Sequence, residues 1–511
     1  MKPAHVQFML RHSGQVLISA IAALLLLGSA ACTQSHVGGF WVLNVSRGDG
    51  TDYKTFFELK PSGHQVGGSV WIDYYPQTIT EGSVSGDKLH VVVGRNPQDR
   101  VTADGAMEGD RLHLHIHFPD RPDADGLAER TTPQAVAPPA RLPVPQLHDV
   151  RDNGLARTPP MGWNSWNKFA GKVDDAAVRG MADAMVASGM KAAGYTYVNI
   201  DDTWQGDRDA QGNITSNRKF PDMKALADYV HSKGLKIGIY SSPGPQTCAG
   251  YEGSYGHEEQ DAKTYAAWGY DYLKYDWCSA DRVYKPADLQ PVYQKMGDAL
   301  LATGRPIVFS LCEYGMGDVW KWGAKVGGNL WRTTGDIDDT WKGMEQIGFR
   351  QFDIASYAQV GHWNDPDMLE IGNGGMTADE YRTHMSLWSL LAAPLLAGND
   401  LRTMTPETKS ILMNKEVIAI DQDPAATPVK KISEQGALVV AARPLHDGST
   451  VVGLFNRGDA PAIMTVSWSA LGLHGASSVR DLWAHKELAK TADSFAAEVP
   501  SHGVVLIKVK R

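Results

Sequence analysis

Several things are scarce in this chain of 511 residues, and each scarcity narrows its chemistry. There is no run of Lys or Arg, and the net charge of −9 with a pI near 6.0 argues against a nucleic-acid partner. Only four cysteines occur, and no His/Cys cluster has metal-ligand spacing, so no metal centre is expected. No Ser/His nucleophile arrangement is visible. The apolar run Val16 to Leu27 is too short for a comfortable membrane span. What the chain does have is tryptophan, 15 of them. Flat apolar rings stack on sugar faces, although most tryptophans fill cores.

The N-terminus reads as an export signal. Lys2 and Arg11 supply a basic region, Val16 to Leu27 is of secretory length, and Gly28-Ser29-Ala30-Ala31 precedes Cys32. This resembles a bacterial lipoprotein signal with Cys32 as the lipidated residue, although Ser29 stands where Leu is usual. The same Ser-Ala-Ala also satisfies an ordinary signal peptidase. Residues 1–31 are therefore expected to be a signal peptide, preferably of lipoprotein type. The protein is then exported: periplasmic, anchored to the outer membrane, or secreted, touching membrane only through a lipid. Cys248, Cys278 and Cys312 would be left in an oxidising compartment, where an odd thiol needs an account.

The chain is too long for one ordinary domain. Residues 37–130 read as all-β, with short runs such as Phe40–Leu43, Thr55–Leu59, Ser69–Ile72, Leu89–Val93 and Leu112–Ile116 between Gly-containing turns. A small antiparallel sandwich or barrel is expected, as a spacer or a sugar-binding module. Residues 131–157 have linker composition, with Pro133, Pro138, Pro139, Pro143 and Pro145. From 158 to 424, short apolar strands alternate with helical stretches, as in 174–193, 223–233 and 258–268. Eight strand candidates suggest a closed (β/α)8 TIM barrel of the α/β class. An open doubly wound sheet is the alternative, but no Gly-rich nucleotide fingerprint follows the first strand. Residues 425–511 return to β, as a C-terminal antiparallel β-sandwich.

In such a barrel, chemistry sits at the C-terminal strand ends. Those ends carry Trp163 and Trp166, Asp201-Asp202, Tyr240, Lys274 and Asp276, Cys312-Glu313-Tyr314, Arg332 with Asp336, and Asn364-Asp365-Pro366-Asp367. Lys274 and Asp276 share a face at the end of one strand. For any one residue, a solvated charge or a helix cap is the simpler account; Asp201 fits a cap, and Asp338-Asp339 are expected to be caps. The conjunction of acids, cations and aromatics on one rim is what glycoside hydrolysis asks for. Retaining enzymes place two carboxyl groups roughly 5–5.5 Å apart, one to attack the anomeric carbon and one to protonate the leaving oxygen.

The stretches Thr158-Pro159-Pro160-Met161-Gly162-Trp163-Asn164-Ser165-Trp166, Asn199-Ile200-Asp201-Asp202-Thr203-Trp204, Leu235–Tyr240, Tyr272-Leu273-Lys274-Tyr275-Asp276, Trp331–Ile337 and Trp363-Asn364-Asp365-Pro366-Asp367-Met368 carry a resemblance. In their order, they are similar to glycoside hydrolase family 27, the α-galactosidases and α-N-acetylgalactosaminidases of the melibiase group. The resemblance implies a retaining double displacement, with Asp276 as nucleophile and Asp336 as general acid/base. It implies that Asp201 and Asp202 bind the galactose 4- and 6-hydroxyls, Lys274 binds the sugar beside the nucleophile, and Arg332 lies near the 2-hydroxyl. Trp166 would underlie the apolar sugar face and Tyr240 would line the pocket. Glu313 and Asp367 complete the expected substrate contacts. Lys274 is expected to keep Asp276 ionised, and partial burial beside Asp276 is expected to keep Asp336 protonated. The resemblance pairs Cys248 with Cys278 and leaves Cys312 as the odd thiol.

Glu313 and Tyr314 are large where N-acetylgalactosaminidase-type members have small residues, so a free 2-hydroxyl is expected; Tyr314 itself departs from the family's usual Trp. The resemblance thus implies a galactose-containing oligo- or polysaccharide as substrate, with no cofactor and no metal. β-L-Arabinopyranosidase and α-N-acetylgalactosaminidase activities are the alternatives within the family. A non-catalytic galactose-binding lipoprotein is the alternative outside it.

Overall fold

The computed structural model describes residues 36–510 apart from 73–74, 95, 97–99, 120–122 and 474–476. The export signal and Cys32 lie outside the described residues. No helix among those described is long and apolar enough to cross a membrane.

The N-terminal region is a closed antiparallel barrel of eight strands, each paired with its chain neighbour. The last strand, Ala124–Arg130, returns to the first, Gly39–Ser46, through Trp41↔Arg130. Alternation drives it. In Arg111–His117, Leu112, Leu114 and Ile116 point inward while the arginine and three histidines face water. Trp41, Phe57, Leu59, Leu112 and Leu114 pack the interior. Three strands were not foreseen: Tyr75–Ser85, Val101–Glu108 and Ala124–Arg130. Their residues are small or polar and give a weak period-two signal.

Residues 131–157, the expected linker, hold no helix or strand beyond the short turn Pro133–Val136. They lie along the outside of the next domain. The Tyr255 hydroxyl donates to the Ala140 carbonyl at 2.7 Å and accepts the Leu142 N–H at 2.8 Å. Gln294 accepts the His148 N–H at 2.8 Å, and the Val150 N–H reaches the Lys325 carbonyl at 2.7 Å.

Eight parallel strands follow, Met161–Asn164, Tyr197–Asn199, Lys236–Ser241, Tyr272–Asp276, Val308–Cys312, Leu330–Arg332, Trp363–Asp365 and Leu395–Ala397, hydrogen-bonded in chain order with the eighth beside the first. Between the seventh and eighth, the ring is joined one step downstream. Leu369, not the seventh strand itself, bridges Ala397, with N–H···O contacts of 2.8 Å to Leu396 and 2.9 Å from Gly398. The narrow interior demands small residues at crossings: a Cβ on Gly238 would stand 2.1 Å from Asn199 Oδ1.

Helices cover the strands, and several start at side-chain caps. Asp174 caps Asp175–Ala187, Asp222 caps Met223–Ser232, and Thr377 with Glu380 forms a capping box on Ala378–Leu391. The Asp338-Asp339 caps do not form. Thr340 caps Trp341–Gly348, Asp338 accepts the Thr340 hydroxyl, and Asp339 accepts from Gly375 N–H and Tyr381. The C-terminal β-sandwich sets a six-stranded sheet against a two-stranded one. It docks on helix Ala378–Leu391, where the Trp483 indole donates to Ser386 Oγ at 2.9 Å.

Candidate active site

Strand four delivers Asp276 to the C-terminal face, 6 % exposed and opposite Cys312 of strand five. Both of its oxygens are held. Tyr240 donates to Oδ2 at 3.0 Å and Tyr314 donates to Oδ1. Burial pushes the Asp276 carboxyl above its ordinary value, while the Lys274 charge and the Tyr314 hydrogen bond pull the other way. Of the influences that favour the ionised form, the Lys274 charge is the largest, as expected for the cation beside it. Lys274 pairs with Asp201, Nζ to Oδ2 at 2.8 Å. Burial works against the Lys274 ammonium, but the Asp201 carboxylate prevails and holds it well above its usual range.

The Asp201-Asp202 pair at the end of strand two is not a helix cap. Asp201 Oδ2 also receives Asn164 Nδ2 at 2.8 Å, and Oδ1 receives the Asp202 N–H at 2.9 Å. Asp202 Oδ1 takes the Thr203 N–H at 2.6 Å, and Oδ2 takes the Ala249 N–H at 2.8 Å. Burial pushes Asp202 up to about 7, against the pull of the Ala249 N–H and Thr247. Cys248 and Cys278 form a disulfide with their Cα atoms 4.9 Å apart, joining the loops after strands three and four. Among the described residues, Cys312 is the free cysteine, and it is buried.

The opposite wall comes from strands six and seven. Arg332 is buried and bonds both Asp367 Oδ2 at 2.8 Å and Asp336 Oδ1 at 3.0 Å. Asp367 holds a left-handed backbone, φ 84°. It is fixed by the Trp388 indole on its carbonyl at 2.7 Å and by its own N–H on Asp365 Oδ1 at 2.9 Å. The Asp336 side chain is 72 % exposed, so the partial burial expected for it is lacking in the open cleft.

Between the walls lies a cavity of about 590 Å³, of the size that takes a small ligand. Trp166, Asp201, Asp202, Tyr240, Lys274, Asp276, Tyr314, Arg332, Asp336 and Asp367 all line it. Among the described residues, one group of ligand-type atoms gathers tightly enough for a metal: Cys248, Asp276 and Cys278. Both sulfurs are committed to the disulfide, which leaves a single carboxylate.

Residues 158–423 match the melibiase family described as alpha galactosidase A, and residues 435–509 match the alpha galactosidase C-terminal β-sandwich domain. The chain belongs to the melibiase family. It is 51 % identical to the alpha-galactosidase of Cyamopsis tetragonoloba over 359 residues, which cover 69 % of this chain and 86 % of that one. It is 47 % identical to alpha-galactosidase A of Cellvibrio japonicus over 382 residues, 70 % of this chain and 92 % of the other. The crystal structure of alpha-galactosidase I from Mortierella vinacea superposes with a TM-score of 0.68 at 40 % identity, covering 70 % of this chain and 98 % of that one.

Within this melibiase-family site, one expected contact fails. Glu313 does not line the cleft: it is fully buried behind the wall, and burial pushes its carboxyl well up. The turn after strand five explains this. Tyr314 and Gly315 are both left-handed, at φ 59° and 83°. A Cβ on Gly315 would meet the Thr333 carbonyl at 2.4 Å. That tight turn aims Tyr314 at Asp276 and leaves Glu313 inside. Four melibiase-site residues were given no role from the sequence. Asn164 holds Asp201, while Glu370 lines the cleft with Asn167 and Asn373 donating to it. Supporting residues of this kind are legible only once the strand ends they serve have been placed.

Proposed function

We propose that this protein hydrolyses terminal non-reducing α-D-galactosyl residues of oligo- or polysaccharides, by a double displacement through a covalent galactosyl-enzyme. The observation that carries the reading is Asp276, gripped on both oxygens in a cleft whose far wall presents Asp336. Family membership and the alpha-galactosidase relatives support it. Asp276 attacks the anomeric carbon while Asp336 gives its proton to the leaving oxygen. Asp336 then takes a proton from the water that attacks the same carbon and frees Asp276. The sugar covers the exposed Asp336 on arrival, which supplies the desolvation that the open cleft lacks.

Asp201 and Asp202 accept hydrogen bonds from the sugar's 4- and 6-hydroxyls, Lys274 donates beside them, and Trp166 carries the apolar sugar face. Arg332, fixed by Asp367, lies toward the 2-hydroxyl. The Tyr314 wall leaves little room for an acetamide there, which favours galactose over N-acetylgalactosamine. The protein works outside the cytoplasm, held by lipid on Cys32 and closed by the Cys248–Cys278 bridge. Loss of metabolic fatty-acid labelling in Cys32→Ala tests the anchor.

Purified protein with p-nitrophenyl α-D-galactopyranoside tests the activity, and NMR of the first-formed sugar tests the stereochemistry. Initial release of α-galactose supports double displacement; initial β-galactose rules it out. Galactose binding without turnover of this substrate or the β-L-arabinopyranoside would make the protein a binder instead.

A further inference from the structure

One turn of the N-terminal β-barrel reaches the loops that stand beside the cleft. Residues 47–51 join its first two strands, yet Asp49 and Thr51 are buried, only 5 % and 6 % exposed. Thr51 occupies Asp49 Oδ1 through its N–H at 2.9 Å and its hydroxyl at 2.6 Å. Oδ2 accepts the Tyr251 hydroxyl at 2.7 Å, and the Asp49 carbonyl accepts the Arg218 N–H at 2.7 Å. Arg47 lies 3.9 Å from the centre of the Tyr251 ring and donates to the carbonyls of Ala249 and Gly250 at 3.2 and 2.9 Å. A buried carboxylate and a stacked guanidinium are costly unless partnered, and the partners outside the barrel, Arg218, Ala249, Gly250 and Tyr251, belong to two loops of the next domain.

Ala249 is the pivot. Its carbonyl accepts from Arg47, and its N–H donates to Asp202 Oδ2 at 2.8 Å. The disulfide at Cys248 ties this loop to the loop after strand four; Tyr251, Ala249 and Gly250 tie it to the N-terminal barrel. The family match begins at residue 158, downstream of the barrel. We propose that Arg47 and Asp49 are positioning residues for the sugar-binding wall, so that the N-terminal barrel clamps the 247–251 loop and thereby aims Asp202 at the substrate. The barrel is a brace for the pocket. This rests on the reading of Asp202 as a galactose ligand.

The full chain carries the test. Arg47→Ala and Asp49→Ala should each raise KM for p-nitrophenyl α-D-galactopyranoside by about 3–30-fold, with kcat within about twofold, because the brace acts on binding geometry. Asp49→Asn keeps an acceptor for Tyr251 and should recover most of the loss. Arg100→Ala breaks a surface pair with Glu81 on the same barrel and should change nothing. Hydrogen exchange without sugar gives an independent readout: Arg47→Ala should speed exchange at residues 249–251 while the amides of the N-terminal strands stay protected. Wild-type KM together with unchanged exchange in an Arg47→Ala, Asp49→Ala double variant would overturn the brace. A wild-type protein inert toward the galactoside would overturn the proposed function instead, and the exchange result would still decide the brace.

Discussion

On one side of the cleft, Asp201, Asp202 and Asp276 stand at strand ends with a donor on each carboxylate oxygen. On the other, Asp336 rides the loop after strand six, mostly in water, tied to its wall by Arg332 alone among the described ion pairs. The first wall is fixed before substrate arrives, as a surface that must recognise hydroxyl directions requires. The second carries a group that must change partners twice per turnover, from leaving oxygen to water, and a loop gives it that freedom. The contrast separates the task of holding a sugar from the task of moving a proton.

Breaking the fixed wall at its centre should cost most. Asp276→Gly should lose roughly 10⁴-fold or more in kcat, with azide restoring part of it by attacking from the vacated side. Unimpaired turnover would show that the nucleophile lies elsewhere. Breaking the exposed wall should cost less and depend on the leaving group. Asp336→Asn should lower kcat by about 10²–10⁴-fold on unactivated galactosides and by less on p-nitrophenyl substrate, whose leaving group scarcely needs a proton. Equal losses on both would remove Asp336 from the acid role.

Asp202→Asn should act on binding, raising KM roughly 10-fold or more, the scale of a hydrogen bond to a charged group. Tyr314→Phe removes a donor that favours the ionised form of Asp276, so the acidic limb of kcat/KM should move to higher pH by up to about one unit. An unmoved limb would detach it from Asp276.

The smallest effect concerns stability. Burial raises Glu370 from its ordinary 4.5 to about 8. The stability this contributes is fully present below 4.5 and is lost as pH rises through about 8. Glu370→Gln mimics the protonated form, so its melting temperature should match the wild type at low pH and exceed it by a few degrees at pH 9. Parallel melting curves across that range would place the proton elsewhere.

How much of this could be read in advance depends on range. The eight barrel strands were legible because each is a short apolar run between turns, and the acids at their ends stood out against those runs. Which acid meets which cation was not. Lys274 lies two residues from Asp276 in sequence, but its ion pair is with Asp201, 73 residues away, because alternate strands of the barrel bring inward side chains into one layer across the intervening strand. Glu313 and Tyr314 looked equivalent until a left-handed turn separated them. The clamp between residues 47–51 and 249–251 spans about two hundred residues and leaves no local pattern.

The joint between the seventh and eighth strands has a further consequence. Because Leu369 rather than Trp363–Asp365 meets Ala397, residues 366–368 are excused from the ladder and spill toward the mouth of the ring. A hoop laced all the way round would hold that segment flat and deny it a view of the substrate. Leaving one stitch out lets Asp367 and Met368 become furniture of the cleft without lengthening the chain, and the Trp388 indole takes the Asp367 carbonyl.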